Sequence, residues 1–146
     1  MKRILILDDE RSITFSLSRC LQSDSVQVIS CQDSLSAMRS LAETRFDAII
    51  ADVRLSVINP YEAIQFIQHV RSVHQEILLI MMSGTEELKA ETLRAGATYF
   101  FQKPLDVDRL IQLLRALGIE AGQERQEENY SKSNPNRYFG NAYGLS

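Results

Sequence analysis

Five short apolar runs punctuate the first hundred residues, and each ends on polar side chains. Ile4-Leu5-Ile6-Leu7 runs into Asp8, Asp9 and Glu10, and Val26-Gln27-Val28-Ile29 into Ser30 and Cys31. Ala48-Ile49-Ile50-Ala51 runs into Asp52, Ile77-Leu78-Leu79-Ile80-Met81-Met82 into Ser83, and Tyr99-Phe100-Phe101-Gln102 into Lys103. Runs of this length, separated by helix-length segments, predict buried strands of a parallel sheet. Between them the apolar spacing becomes helical. Residues 12–21 place Ile13, Leu17, Cys20 and Leu21 on one face, and residues 34–42 do so with Leu35, Met38, Leu41 and Ala42. A third helix is expected to start at Asn59, with Asn59 as cap, Pro60 in the first turn and Glu62 at the capping-box position. It presents Ile64, Ile67 and Val70, with Phe66 beside them. Residues 86–95 form a weaker helix anchored by Leu88 and Leu93 and ended by Gly96. Residues 106–117 form the strongest, with Leu110, Ile111, Leu113, Leu114 and Leu117 before Gly118. A strand–helix pair repeated five times predicts an α/β fold, a doubly wound parallel sheet with helices on both faces.

In such a sheet the carboxyl ends of the strands share one edge, where open α/β sheets bind ligands. Asp8, Asp9, Asp52, Ser83 and Lys103 therefore meet in one crevice. Clustered carboxylates repel one another unless a cation or a shared proton intervenes. Mg²⁺ or Mn²⁺ takes oxygen ligands of this kind together with phosphate oxygens. An Asp carboxylate can act as a nucleophile toward a phosphoryl group, and the remaining work is positioning and charge neutralisation. On this reading Asp52 accepts the phosphoryl group, Asp8 or Asp9 binds the metal, and Lys103 and Ser83 grip phosphoryl oxygens.

A length of 146 residues suits one domain with a proper core. The net charge of −3 gives no sign of direct nucleic-acid binding or attraction to an acidic membrane. Neither cysteine falls in a metal-like or C-x-x-C spacing; Cys20 is expected to be buried and inert, in a reducing compartment. The apolar run after Met1-Lys2-Arg3 is too short for a secretory signal, and the run from Ile77 is far too short to span a membrane. A cytoplasmic protein is expected. The domain is expected over residues 1–118, and the polar residues 119–146 as a tail or linker stub with no separate core. Tyr130, Tyr138, Phe139 and Tyr143 make this tail unusually aromatic, which suits docking on the domain or on a partner.

The chain resembles the receiver domain of two-component response regulators, over residues 2–117. The marks are Asp8-Asp9-Glu10 after the first strand, Asp52 after Asp47-Ala48-Ile49-Ile50-Ala51, Ser83-Gly84 after the fourth, and Gly96-Ala97 leading to Lys103-Pro104. Each is weak alone; all four in order at matching strand ends are specific. The resemblance implies a flavodoxin-like (βα)5 fold with strand order 2-1-3-4-5, a cis Lys103-Pro104 bond, and the backbone carbonyl of Arg54 as a further metal ligand. It implies a phosphoryl donor on a histidine kinase or histidine phosphotransfer protein. The domain would catalyse its own phosphorylation and dephosphorylation rather than turn over an external substrate. Ser83 and Phe100 would form the switch. The face of the fourth helix, fifth strand and fifth helix would be read by a downstream protein, the chain being a monomer or a phosphorylation-dependent dimer. Arg54 and Thr85 would tune the phosphoryl lifetime.

The chain departs from the family pattern at Ser56, where Pro is usual, at Asn59-Pro60, where Asp-Gly is usual, and at Phe100, where Tyr is usual. Three other readings stand beside the leading one. One is a phosphorylation-independent adaptor, and another a receiver fragment of a longer transcriptional regulator. The third, a Mg²⁺-dependent phosphatase, needs an acid where Arg54 stands. His69 and His74 are expected at the surface, without ligand partners.

Overall fold

The computed structural model describes residues 1–54, 59 and 61–123. Five strands, β1 (Lys2–Leu7), β2 (Val26–Cys31), β3 (Ala48–Asp52), β4 (Leu78–Ser83) and β5 (Tyr99–Gln102), alternate with α1 (Arg11–Leu21), α2 (Ser34–Glu43), α3 (Glu62–Val73), α4 (Lys89–Ala95) and α5 (Val107–Ala116). All strand pairs are parallel, in the order β2-β1-β3-β4-β5. This is the flavodoxin-like order expected from the sequence.

The uninterrupted apolar runs are explained by burial on both faces of the sheet. Successive strand side chains point to opposite sides. Leu5, Leu7, Ile49, Ala51, Leu79 and Met81 meet α2 and α3 through Ala37, Leu41, Phe66, Ile67 and Val70. Ile4, Ile6, Ala48, Ile50, Ile80 and Met82 meet α1 and α5 through Leu17, Leu21, Leu110 and Leu114. Each fully buried Leu or Ile contributes about 1.5–3 kcal/mol relative to exposure. A one-residue slip in any strand would exchange its two faces, so the register is tightly specified.

Several helix details differ from expectation. α1 buries Thr14 with Leu17 and Leu21, and Cys20 is exposed. Cys20 lies about 90° around the helix from the centre of that stripe, so it faces away from the sheet. In α2 the buried residues are Ala37 and Leu41, while Leu35 is 59% exposed. α3 begins at Glu62, not at Asn59. The Asn59 Oδ1 accepts from the Tyr61 N–H at 3.1 Å, a local turn rather than a helix cap. Glu62 does not complete a capping box; its Oε1 accepts the Ser34 hydroxyl at 2.7 Å and so ties α3 to α2. α4 begins only at Lys89, and its buried residue is Thr92, with Leu93 39% exposed. α5 is capped by Asp106, whose Oδ1 accepts from the Arg109 N–H at 3.1 Å; Leu117 lies beyond its last turn and is exposed.

The packed chain also continues past residue 118. Ile119 and Ala121 are buried with the α1/α5 core. The Gly122 N–H donates to the Leu21 carbonyl at 2.9 Å, and Arg115 Nε to the Ala121 carbonyl at 2.9 Å. Ser56, Pro60 and the four tail aromatics lie outside the described residues. Among the described residues no helix is long and apolar enough to cross a membrane.

Candidate metal and phosphoryl site

The site is built at the carboxyl edge of the three central strands and β5. β1 and β3 pair in register through Leu7 and Ala51, so Asp8 and Asp52 emerge side by side. β4 delivers Ser83 next to them, and the Lys103 N–H closes on the Ser83 carbonyl at 2.7 Å, fixing where the lysine enters. The Lys103-Pro104 bond is cis.

Lys103 Nζ donates to Asp52 Oδ2 at 2.8 Å and to Asp8 Oδ2 at 3.0 Å. Both carboxylates are buried. Their other oxygens are held by main chain: Asp8 Oδ1 accepts from the Glu10 N–H at 3.0 Å, and Asp52 Oδ1 from the Arg54 N–H at 2.9 Å. Asp9 is exposed, yet it offers a carboxylate oxygen within 4.8 Å of those of Asp8 and Asp52. Burial works against the Lys103 ammonium and is the largest single influence on it. Its hydrogen bonds and attraction to Asp52 and Asp8 together outweigh that penalty, and its pKa lies above the ordinary lysine value.

Three carboxylates against one ammonium leave a formal excess of negative charge. Hard oxygen donors in that number, with one carboxylate open to water, suit a small divalent cation such as Mg²⁺ or Mn²⁺. The donors would be Asp8, Asp9 and Asp52, with Lys103 covering part of the charge.

Ser83 is buried at the same edge, and its Oγ accepts from the Thr85 N–H at 3.2 Å. Thr85 and Arg54 are exposed at the rim. Phe100 is not in the crevice. It is half-buried three residues before Lys103, packs on the α2/α3 core, and carries Lys89 Nζ 5.9 Å above its ring. His69 is exposed on α3 and His74 follows that helix; neither belongs to the acidic group. The main-chain N–H groups of Glu10 and Arg54 escaped sequence reasoning, because every residue has such a group and no side-chain pattern marks the ones that turn inward.

A family model described as the response regulator receiver domain matches residues 4–115. Among curated proteins, the response regulator MprA of Mycobacterium sp. (strain KMS) is 27% identical over 117 residues, covering 79% of this chain and 50% of that protein. The transcriptional regulatory protein PrrA of Mycobacterium tuberculosis is 26% identical, covering 79% and 49%. The chain thus spans about half the length of the curated relatives it matches. Among solved structures, the chemotaxis response regulator CheY4 of Vibrio cholerae is similar at a TM-score of 0.70 and 29% identity, covering 80% of this chain and 98% of that one. The response regulator TrrA of Thermotoga maritima, crystallised in complex with Mg²⁺-BeF, shares the fold at a TM-score of 0.69 and 21% identity, covering 80% and 99%.

Proposed function

Because the chain belongs to the response regulator receiver-domain family, we propose that it is a two-component signalling switch in which Asp52 accepts a phosphoryl group. The observation that carries this reading is the Lys103 bridge between the buried Asp52 and Asp8, beside the exposed Asp9. The donor would be a phosphohistidine on a histidine kinase or histidine phosphotransfer protein, met in the cytoplasm.

Each residue has a task in that transfer. An Asp52 oxygen attacks phosphorus, forming the acyl-phosphate P–O bond as the P–N bond to the donor imidazole breaks. The Arg54 N–H holds Asp52 Oδ1, which orients the carboxylate. Lys103 exchanges its bond to Asp52 for one to a phosphoryl oxygen while Asp8 keeps it in place. Ser83 turns its hydroxyl from the Thr85 N–H to a second phosphoryl oxygen. When bound, Mg²⁺ or Mn²⁺ supplies neutralisation of the charge gathered by the carboxylates and the phosphoryl group. Asp8, Asp9 and Asp52 would hold it, with the Arg54 carbonyl added by analogy with the family. Asp52 acquires the group itself, so the domain is a phosphoacceptor and not a turnover enzyme on an external substrate. Arg54 and Thr85, at the rim, would set the access of hydrolytic water.

Movement of Ser83 would draw the loop into α4, a helix of seven residues with no side-chain cap. Phe100 would then leave its present contact with Lys89 and turn inward. Phosphorylation in this sense shifts a two-state equilibrium. The surface of α4, β5 and α5, where Leu93 and Tyr99 are exposed, would be read by a protein target or a second copy. The length of the curated relatives also favours a receiver that works as one part of a longer transcriptional regulator.

Intact mass after incubation with acetyl phosphate and Mg²⁺ tests the reading. A phosphoryl adduct on wild type that is absent from Asp52→Asn is expected. No adduct on wild type, under conditions where a control receiver reacts, would leave the phosphorylation-independent adaptor in its place.

A further inference from the structure

One contact beside β5 takes no part in the acidic group. Lys89 Nζ stands 5.9 Å from the centre of the Phe100 ring, within reach of a cation–π attraction. Lys89 is exposed and is the first residue of α4. A cation at that end of a helix opposes the dipole, which favours acids there. Glu86, Glu87 and Glu91 are close in sequence, yet among the described residues none forms an ion pair with Lys89. The ring is the partner that the ammonium has found.

Lys89 also stands between that ring and the acidic edge. Its carbonyl accepts the Thr92 hydroxyl at 2.9 Å, and Thr92 is fully buried, which anchors the start of α4. Residues 84–88 connect Lys89 back to Ser83, and all of them but Leu88 are exposed. Phe100 pairs in register with Met81, two residues before Ser83, and is half-buried with Lys89 above its ring. A movement of Ser83 toward a phosphoryl oxygen would therefore pass along five residues to the lysine that covers the ring.

We propose that Lys89 is a positioning residue that holds Phe100 in its present, outward position and so sets how readily the switch turns on. This inference rests on the phosphoryl-switch reading above and names a residue that regulates it. An exposed cation–π contact biases a two-state population by about two- to fivefold. The ring turns inward only by giving that contact up. The active fraction is lowered by the same factor, and with it the apparent affinity for any ligand that needs the active state. Coulomb attraction alone predicts the opposite, since deleting a cation near an anion site weakens anion binding. The sign of the effect separates the two.

The test measures equilibrium binding of beryllofluoride, a tetrahedral phosphoryl mimic, by the full chain at saturating Mg²⁺, alongside spectra of ring-labelled phenylalanine. The Phe100 signal is assigned by its loss in Phe100→Leu. Lys89→Gln should bind about two- to fivefold more tightly than wild type. Its Phe100 signal, before any ligand is added, should lie part-way toward the bound position. Lys89→Arg keeps a cation over the ring and should match wild type in both readouts. Lys, Gln and Arg have nearly equal helix propensity, so neither change disturbs α4. The gain should disappear when Lys89→Gln is made together with Phe100→Leu. Unchanged or weaker binding by Lys89→Gln, an unmoved Phe100 signal, equal effects of Lys89→Gln and Lys89→Arg, or a gain that survives Phe100→Leu would each overturn the proposal and leave the phosphoryl site standing. No binding to wild type would overturn the phosphoryl-switch reading itself, and the role of Lys89 with it.

Discussion

Lys103 Nζ lies 2.8 Å from Asp52 Oδ2, so the residue proposed to grip the phosphoryl group already grips the carboxylate proposed to attack it. The same ammonium is 3.0 Å from Asp8, whose side chain has no exposure at all. Removing Lys103 therefore strands a buried carboxylate. Lys103→Met is expected to lower stability by roughly 1–3 kcal/mol, below the range for a fully buried pair because the lysine side chain is partly open to water. It should also suppress the acetyl phosphate adduct. Lys103→Arg should recover most of the stability in urea unfolding and little of the phosphorylation, since a planar guanidinium does not replace a point charge at this spot.

The acidic group makes a prediction about metal. Saturating Mg²⁺ should raise the unfolding midpoint, by the equivalent of about 2.7 kcal/mol at a hundredfold excess over Kd. Asp9 is exposed and among the described residues has no hydrogen bond through its side chain, so Asp9→Asn should leave the metal-free midpoint nearly unchanged and shrink the Mg²⁺ increment. Thermal melts with and without Mg²⁺ decide this; an undiminished increment in Asp9→Asn would remove Asp9 from the ligand set.

At the opposite end of the sheet, Arg71 ties together the segments that enter β4 and β5. Its Nε donates to the Gly96 carbonyl at 2.7 Å, its Nη1 to the Ile77 carbonyl at 2.7 Å, and its Nη2 to the Thr98 hydroxyl at 3.1 Å. Gly96 adopts φ +126°, and a Cβ there would stand 2.7 Å from Arg71 Cγ. Gly96→Ala meets both strain and collision and should cost at least about 2 kcal/mol. Arg71→Lys, which has no fork to reach several carbonyls, should cost about 2 kcal/mol by urea unfolding.

Asp33 caps α2. Its Oδ1 accepts from the Ser36 N–H at 2.7 Å, and Oδ2 from the Ser36 hydroxyl at 3.0 Å. These bonds, the backbone one foremost, lower the carboxyl's pKa. A lowered folded-state pKa means the ionised cap's extra contribution is complete above the unfolded-chain value and is lost as pH falls through the folded one. Asp33→Ala should cost about 1 kcal/mol at neutral pH. The gap to wild type should narrow in acid, while Asp33→Asn retains a cap whose strength does not change with pH. Denaturant midpoints for the three proteins from neutral to acid pH check the sign.

The strands and their order of chemistry were legible because their signal is local and redundant. A run such as Ile4 to Leu7 has no polar residue to turn outward, so both its faces need cover, and only a sheet with helices on each side supplies it. The helices were less legible at their edges. Cys20 and Leu35 pass for core residues on hydropathy alone, but burial depends on where the neighbouring strand lies, and at those positions it lies elsewhere. Asn59 and Glu62 carry the letters of a capping box, yet Ser34 of another helix claims the glutamate.

By itself, the sequence determined that Asp8, Asp9, Asp52, Ser83 and Lys103 would share an edge, because strand ends in a parallel sheet coincide whatever the details of packing. Only the tertiary structure decided how that edge is wired. The lysine bridges Asp8 and Asp52 rather than one of them, the amides of Glu10 and Arg54 take the remaining oxygens, and the chain after α5 turns back into the α1/α5 seam. These contacts join residues as far apart in the chain as Leu21 and Gly122, through side-chain charges and main-chain groups alike. No local pattern of side chains encodes them, since hydrogen-bond geometry exists only once the distant segments have been packed.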